Sequence, residues 1–346
     1  MTGFYRLCAC VFGLAGALSI SILLKSTASC SWQTSLRVAQ HPAQEHTYYS
    51  LPDLLQMQLG PNLSATVPIN ADVEYLILAK TTTAPPFYIS MHREKDDTPR
   101  APILYTGQYY EKQKTAHMKV LALMQSPSMQ GLFVDVGANI GWFSLYMAAL
   151  GRQVVSFEPN PANLKKLRQS VAVNRFSHRI HLLPYGAGPA ASLLYFRNVR
   201  SNMGMGHFTT EKKSKAAGDV MEVHVKRVDD VLKDVPEPWR RRVCIVKIDV
   251  EGFEAGALQG FLGTLRRDKP VVWVELTQGK HEEHLTSGYY NTLWEFVSLG
   301  YWSPAGVPTE SIEAMTKWFQ AVVAPNKNPS DLLFWPDTFT SSTVPF

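Results

Sequence analysis

The stretch Phe133-Val-Asp-Val-Gly-Ala-Asn-Ile-Gly-Trp-Phe-Ser144 decides the fold of this 346-residue chain. Apolar and β-branched residues lead up to Asp135, a short loop carries Gly137, Asn139 and Gly141, and an amphipathic stretch follows. This order indicates a buried strand, a glycine turn and the start of a helix. Such a turn brings backbone N–H groups close to a nucleotide-like ligand, and asparagine tolerates the left-handed backbone that it requires. The stretch therefore predicts a cofactor loop.

The residues after the loop bear on which cofactor it binds. A second apolar run, Val154–Phe157, ends in Glu158, whose carboxylate can accept two hydrogen bonds from a ribose diol. A dinucleotide fingerprint needs three glycines, and only Gly137 and Gly141 are present here, with Asn139 between them. A ligand without phosphates, held by one acid before the loop and another after the second strand, fits better. S-adenosylmethionine is such a ligand, and a turn that merely joins strand to helix is the alternative.

Strand and helix patterns alternate along most of the chain. Strands are predicted at Leu132–Val136, Val154–Phe157, Ile180–Leu183, Cys244–Val250, Val271–Glu275, Gly300–Ser303 and Leu332–Trp335, with helices between them. The pattern predicts an α/β fold, doubly wound, with a mostly parallel seven-stranded Rossmann-like sheet and helices on both faces. Four acids fall at or near carboxyl ends of these strands: Asp135, Glu158, Asp249 and Glu275. Ligands bind at that edge, so the four acids favour a site there.

Lys247, Asp249 and Glu251 occupy alternate positions where the fourth strand ends, so their side chains should share one face. A lysine in an apolar strand is costly unless it is paired. One interpretation is a structural ion pair. The other is that Asp249 contacts the cofactor's amino group or the substrate, and that Asp249 or Glu251 accepts a hydroxyl proton.

Four stretches resemble the FkbM family of S-adenosylmethionine-dependent methyltransferases. They are Asp135-Val-Gly-Ala-Asn-Ile-Gly141, Phe157-Glu-Pro-Asn-Pro161 with Asn163, Val246-Lys-Ile-Asp-Val-Glu-Gly-Phe-Glu254 and Gly107-Gln-Tyr-Tyr-Glu111. The resemblance covers about residues 105 to 336, and the third stretch is its most specific part. It implies a class I methyltransferase domain, and it places Glu111 at the cofactor by position alone.

Each candidate residue then has an expected role toward S-adenosylmethionine. Gly137 and Gly141 let the loop pass close to the methionine part. Asp135 holds that region directly or braces the loop. Glu158 binds the ribose, and Asn160 either reaches the adenine side or serves only as a turn-forming Asn-Pro.

Residues 1–25 predict a signal anchor. Leu7 to Leu24 is an uncharged, mostly apolar run of 18 residues between Arg6 and Lys25, near the lower limit for a membrane-spanning helix. This favours a single-pass membrane protein of the secretory pathway or Golgi, with cleavage and secretion as the alternative. Residues 26–104 are interpreted as a stem and an accessory element, with Tyr75–Ala79 and Phe87–Ile89 as a possible hairpin, and residues 337–346 as a tail.

Composition and spacing disfavour other classes. The net charge of +5 is mild, and no aromatic-rich basic stripe indicates nucleic acid. The histidines of His281-Glu-Glu-His284 are three residues apart, which does not match the helical zinc motif, so no metal is expected. Asn202-Met-Gly-Met-Gly206 is predicted to be a loop near the site mouth.

The sequence therefore predicts an O-methyltransferase that acts on a glycan, a lipid-linked sugar or a small molecule. The preference for oxygen is implied by the family resemblance. Two alternatives stay open: a non-catalytic binding domain that keeps the fold, and an NAD-dependent oxidoreductase, which the glycine spacing disfavours.

Overall fold

A computed structural model of the chain describes residues 4–13, 16–26, 32–39, 47–49, 77–92, 96–97, 100, 102–109, 123, 125–126, 129–199, 202–209, 220–276, 287–322 and 330–339. Its strands are β1 (Phe4–Gly13), β2 (Gly16–Ser26), β3 (Trp32–Ala39), β4 (Thr47–Tyr49), β5 (Ile77–Lys80), β6 (Tyr88–Met91), β7 (Leu132–Val136), β8 (Gln153–Phe157), β9 (Ile180–Leu183), β10 (Gly186–Gly188), β11 (Ser192–Val199), β12 (Asn202–Thr209), β13 (Val220–Arg227), β14 (Val243–Ile248), β15 (Val271–Leu276), β16 (Tyr301–Trp302) and β17 (Ser330–Pro336). Its helices are α1 (Pro102–Thr106), α2 (Trp142–Ala149), α3 (Pro161–Val173), α4 (Val228–Asp234), α5 (Glu254–Gln259), α6 (Leu262–Asp268), α7 (Ser287–Ser298) and α8 (Ile312–Val322).

The central sheet has seven strands in the order β16-β17-β15-β14-β7-β8-β9. The five strands from β15 to β9 pair in parallel, whereas β17 runs antiparallel to both β15 and β16. The predicted mostly parallel seven-stranded α/β sheet is therefore confirmed. Strand order reverses beside β7, and ligands bind at such a point in open α/β sheets.

Both faces of this sheet are buried, which explains the nearly continuous apolar strands. All five residues of β7 are buried, and they divide between two cores by alternation. Leu132, Val134 and Val136 pack in one core, while Phe133 packs in the other with Trp142 and Phe143 of α2. The sheet is therefore held between helices, and the carboxyl ends of its strands lie at defined positions.

A second sheet, in the order β10-β13-β11-β12, was not predicted. Its strand β12 contains the segment Asn202–Gly206, so the prediction of a loop there is wrong. Glycine weakens a strand signal because it brings no side chain to the sheet. Here the side chains of Arg100 and Phe196 come close to the backbone at Gly204 and Gly206, respectively. The predicted helix Glu254–Leu265 is also divided, into α5 and α6.

The prediction of a membrane-spanning helix over Leu7–Leu24 is wrong. The backbone there forms β1 and β2, which pair antiparallel with Gly13 opposite Gly16. The phenylalanine, valine and isoleucine residues of the run suit strands. Within the described parts of the chain, no helix is long and apolar enough to cross a bilayer.

The predicted hairpin of the accessory segment is present as β5 and β6. It lies against α3, where the backbone N–H of Ser90 donates to Ser170 Oγ at 2.8 Å and that of Tyr88 donates to Asn174 Oδ1 at 2.8 Å. The Phe87 ring meets the Trp142 ring edge-on. These contacts attach the segment before the glycine loop to the helices that flank the central sheet.

Candidate active site

The glycine loop after β7 folds back on the end of β8. The N–H groups of Gly137 and Ala138 both donate to the Phe157 carbonyl, at 3.0 and 2.9 Å. Gly137, Asn139 and Gly141 all have positive φ, at 82°, 55° and 93°. A Cβ on Gly137 would collide with the Asp249 carbonyl oxygen, so this glycine allows the loop and the end of β14 to approach each other.

Glu158 is held as an acceptor beside this loop. Its carboxylate is 4% exposed, and it accepts the Asn139 N–H on Oε2 at 2.7 Å and the Asn160 N–H on Oε1 at 2.8 Å. Burial raises the pKa of Glu158 to about 7, against the effect of these hydrogen bonds. The two carboxylate oxygens have about four lone-pair sites, and besides the two N–H groups the Asn163 side chain also hydrogen-bonds the carboxylate, which still leaves acceptor capacity toward a hydroxyl donor.

A cavity of about 260 Å³ lies at the carboxyl ends of β7, β8 and β14. Five of the sequence-predicted site residues border it: Gly137, Asn139, Glu158, Asp249 and Glu251. The other residues that line it are Arg100, Phe157, Pro159, Asn163, Tyr185, Gly186, Ala187, Phe196, Asn202, Met203, Gly204, Gly206, Phe208, Val250 and Glu275. The prediction that acids from separate strands meet at one edge is confirmed for Glu158, Asp249 and Glu275.

Lys247 forms a buried ion pair below this cavity. Its Nζ lies 2.8 Å from Asp249 Oδ2, with the lysine side chain 4% exposed and the aspartate 24%. The ammonium also lies over the rings of Phe143 and Trp273, at 5.4 and 5.5 Å from their centroids. Burial alone would lower the pKa of Lys247, but the Asp249 and Asp135 carboxylates outweigh it and hold the pKa above its ordinary value. The ion pair fixes Asp249, whose other face borders the cavity.

Asp135 lies behind the loop and is fully buried. Ser144 Oγ donates to its Oδ2, and Ser144 Oγ lies 2.7 Å from Ser156 Oγ. Burial raises the pKa of Asp135. Asp135 is not among the residues that line the cavity, and its partner Ser144 lies in α2, so the geometry attaches this carboxyl to the helix that follows the loop rather than to a ligand.

Two further candidates sit differently from their expected place. Asn160 caps α3, accepting the Ala162 N–H on Oδ1 at 3.0 Å, and its Nδ2 donates to Asn198 Oδ1 at 2.8 Å. This arrangement favours the turn-and-cap interpretation of Asn160. Glu111 and the His281–His284 run lie outside the described residues, and within the described residues no group of three metal-ligating side chains comes together.

Sequence reasoning missed the wall contributed by β11, β12 and the segment before α1. Asn163 links this wall to α3, because its Nδ2 donates to the Met203 carbonyl at 3.1 Å and its Oδ1 lies 2.8 Å from His92 Nε2. Asn163 belonged to a family-like stretch but had no assigned role. Every second residue from Asn202 to Phe208 lines the cavity, together with Met203, so alternation along this segment was a signal that the sequence offered.

The buried carboxyl of Glu254 is expected to make the stability of the folded protein depend on pH. It is fully buried, its Oε1 accepts the Gly252 N–H at 2.8 Å, and burial raises its pKa to about 8. A carboxyl with a raised folded-state pKa stabilises the fold below its unfolded pKa, and this contribution is lost as pH rises toward the folded value. We therefore expect Glu254→Gln, which keeps the Gly252 hydrogen bond, to gain thermal stability relative to wild type as pH rises from 5 to 8.

Melting temperatures at pH 5 and pH 8 check this expectation. The exposed Glu295→Gln change on α7 is the matched control and should show no such trend. A difference between Glu254→Gln and wild type that is constant with pH would contradict it.

The fold is a Rossmann-like α/β sheet with a glycine loop after its first central strand and an acid after its second. Residues 135–320 match the model of the methyltransferase FkbM domain, so the chain belongs to the FkbM methyltransferase family. Methyl transfer is accordingly its class of activity, and the family expectation from the sequence is confirmed.

Named relatives agree with this assignment. The chain is 28% identical over 211 residues to "Methyltransferase sdnD" of Sordaria araneosa, covering 53% of this chain and 70% of that protein. It is 31% identical over 147 residues to "Methyltransferase 1" of Beauveria bassiana, covering 37% of this chain and 57% of that protein.

Among solved structures, the chain is similar to methyltransferase FkbM from Methylobacillus flagellatus, at 20% identity and a TM-score of 0.36. That match covers 60% of this chain and 44% of the other. It is also similar to a SAM-dependent methyltransferase from Agrobacterium tumefaciens, at 10% identity and a TM-score of 0.36, covering 96% and 90%. Both TM-scores are below 0.5, so the family assignment depends on the sequence match.

Proposed function

We propose that the protein is an S-adenosylmethionine-dependent O-methyltransferase that acts on a hydroxyl of a glycan, a lipid-linked sugar or a small molecule. The observation that carries the cofactor is Glu158. Its buried carboxylate is aimed by two backbone N–H groups at the cavity that the glycine loop borders. A diol is the chemistry that such a pair of acceptor oxygens recognises.

The residues present fit this cofactor. The backbone of Gly137 lies on the cavity without a Cβ, and Pro159 supplies an apolar surface next to Glu158. The acids Asp249, Glu251 and Glu275 line the cavity, and their charge would complement the positive sulfonium and ammonium groups of this cofactor. When bound, S-adenosylmethionine supplies an electrophilic methyl group on that sulfonium.

The acid edge also offers a proton acceptor for a hydroxyl. Asp249 is held by Lys247 at 2.8 Å and borders the cavity, and Glu251 follows it with a positive φ of 52°. The ion pair with Lys247 fixes the Asp249 carboxylate at the cavity, where it can orient a hydroxyl and accept its proton. Because an in-line displacement depends mainly on alignment, positioning by Asp249 contributes more than its basicity.

Titration of the full chain tests the proposal. We expect S-adenosylmethionine to bind with a micromolar dissociation constant, about −8 kcal/mol, and NADH not to bind. Transfer of a labelled methyl group is then measured against glycans, lipid-linked sugars and hydroxylated small molecules, each beside an amine analogue.

The alternatives give different results in the same experiment. NADH binding without S-adenosylmethionine binding would support the oxidoreductase. A folded chain that binds neither ligand would support the non-catalytic domain. Methylation of the amine analogues in preference to the hydroxyl compounds would contradict the O-methyl assignment alone.

A further inference from the structure

One wall of the cavity contains a buried cation. Arg100 lines the cavity although the residue is only 9% exposed. Its Nη1 donates to Asp97 Oδ1 at 3.1 Å and to Asn202 Oδ1 at 3.4 Å, so two separate segments hold the guanidinium in one orientation. Asp97 is itself 2% exposed and pairs with Asn202 through a β-bridge.

Strand β12 is shaped around this guanidinium. A Cβ on Gly204 would collide with both Nη atoms of Arg100, and a Cβ on Gly206 would collide with the Phe196 ring. The two glycines lie on the same face of the strand, so the bare backbone there accommodates a planar cation and an aromatic ring side by side. Both of those side chains border the cavity. The wall is therefore a built surface with one charged and one apolar part.

The charges around the cavity are divided. Among the described residues that line it, four are acidic, namely Glu158, Asp249, Glu251 and Glu275, and Arg100 is the one that is basic. The acids match the positive groups of the proposed cofactor. They would repel an anionic acceptor everywhere except at Arg100, whose planar guanidinium matches a carboxylate in a two-point contact.

Building on the proposed function, we propose that the acceptor is a hydroxyl compound that also carries a carboxylate, and that Arg100 binds this carboxylate. Arg100 is a specificity-determining residue in this account, because it touches a part of the acceptor that does not react. A single negative charge suits the site better than a phosphate dianion, since Asp97 already balances part of the guanidinium charge and four acids lie around the same cavity.

Matched ligand pairs on the full chain saturated with S-adenosylhomocysteine test the proposal. The probes are glucuronate with glucuronamide, 4-hydroxybenzoate with 4-hydroxybenzamide, and 3-hydroxybutyrate with its amide, followed by ligand-observed NMR titration. We expect at least one carboxylate to bind better than its amide, and Arg100→Gln to remove that preference with a loss of about 10- to 100-fold. Arg241→Gln, an exposed arginine outside the cavity, is the control and should leave it unchanged.

Four results would overturn the assignment. Two of them concern the wild type: no carboxylate binds better than its amide, or methyl phosphate binds better than every carboxylate. Either result rejects the proposal even if the Arg100→Gln variant does not fold. In a folded Arg100→Gln, the carboxylate preference persists. In the same variant, S-adenosylhomocysteine could lose affinity while 5′-methylthioadenosine does not. This result would assign Arg100 to the cofactor's own carboxylate and would also reject the proposal. Failure of the wild type to bind S-adenosylhomocysteine would reject the proposed function itself, and the initial saturation step detects that separately.

Discussion

Glu158→Ala is expected to weaken S-adenosylmethionine binding by at least about 100-fold, because hydrogen bonds to a charged acceptor contribute about 1.5–3 kcal/mol each and a ribose diol makes two. The same change leaves the N–H groups of Asn139 and Asn160 without the acceptors they have in the native fold. The loop would then lose its position as well as its ligand contact.

Glu158→Gln removes the negative charge of this side chain but keeps its shape. The amide keeps one acceptor oxygen but places an NH₂ group against one of the two backbone donors, so we expect a binding loss close to that of alanine. Calorimetric titration measures both variants. Glu310→Gln is the matched control, because Glu310 is exposed and also accepts a backbone N–H, from Thr309 at 3.0 Å, but lies outside the cavity. Unchanged affinity in a folded Glu158→Ala protein would remove the main support for the cofactor assignment.

The same carboxyl predicts a pH dependence of wild-type affinity. Burial raises the pKa of Glu158 to about 7, and the ionised form is the stronger acceptor for a diol. Affinity should therefore fall as pH decreases below about 7, and this dependence should be absent in Glu158→Gln.

The parallel sheet could be predicted from sequence because its strands are buried on both faces and read as short apolar runs between turns. The acids at the strand ends followed from that sheet, so Glu158 and Asp249 were found together with the glycine loop. Their neighbours were harder to place. Asn160 was compatible with a ligand contact or a helix cap, and only its actual partners, Ala162 and Asn198, separate the two.

The second sheet and Arg100 could not be predicted for a different physical reason. Residues of β12 pair with β11 in the same small sheet, but Arg100 reaches that sheet from 102 positions earlier in the chain than Asn202. Nothing local in a glycine-rich strand indicates which distant side chain fills the space that the missing Cβ atoms leave. The error at β1 and β2 has another cause. Hydropathy alone favours a membrane helix for an uncharged, mostly apolar run, and it does not register that such a run can also pair as two strands.

Gly137→Ala is expected to abolish cofactor binding and to destabilise the fold by more than the backbone strain alone. Gly137 has φ of 82°, and left-handed backbone costs an alanine about 1–2 kcal/mol. In addition, its Cβ would collide with the Asp249 carbonyl oxygen, which is backbone and cannot rotate away. The loop or the end of β14 must then move, and with it the carboxylate of Asp249.

Gly151→Ala isolates the strain from the collision. Gly151 has nearly the same φ, 87°, but nothing lies within 4 Å of the Cβ position. We expect Gly151→Ala to lose only about 1–2 kcal/mol of unfolding free energy and to bind S-adenosylmethionine like wild type. Denaturant unfolding and calorimetric titration of both variants measure the difference. Equal losses of unfolding free energy in the two proteins, with binding retained in Gly137→Ala, would show that close approach of the loop to β14 does not form the cofactor site. A larger loss of unfolding free energy in Gly137→Ala than in Gly151→Ala would show that Gly137 is required for that approach and not only for the turn.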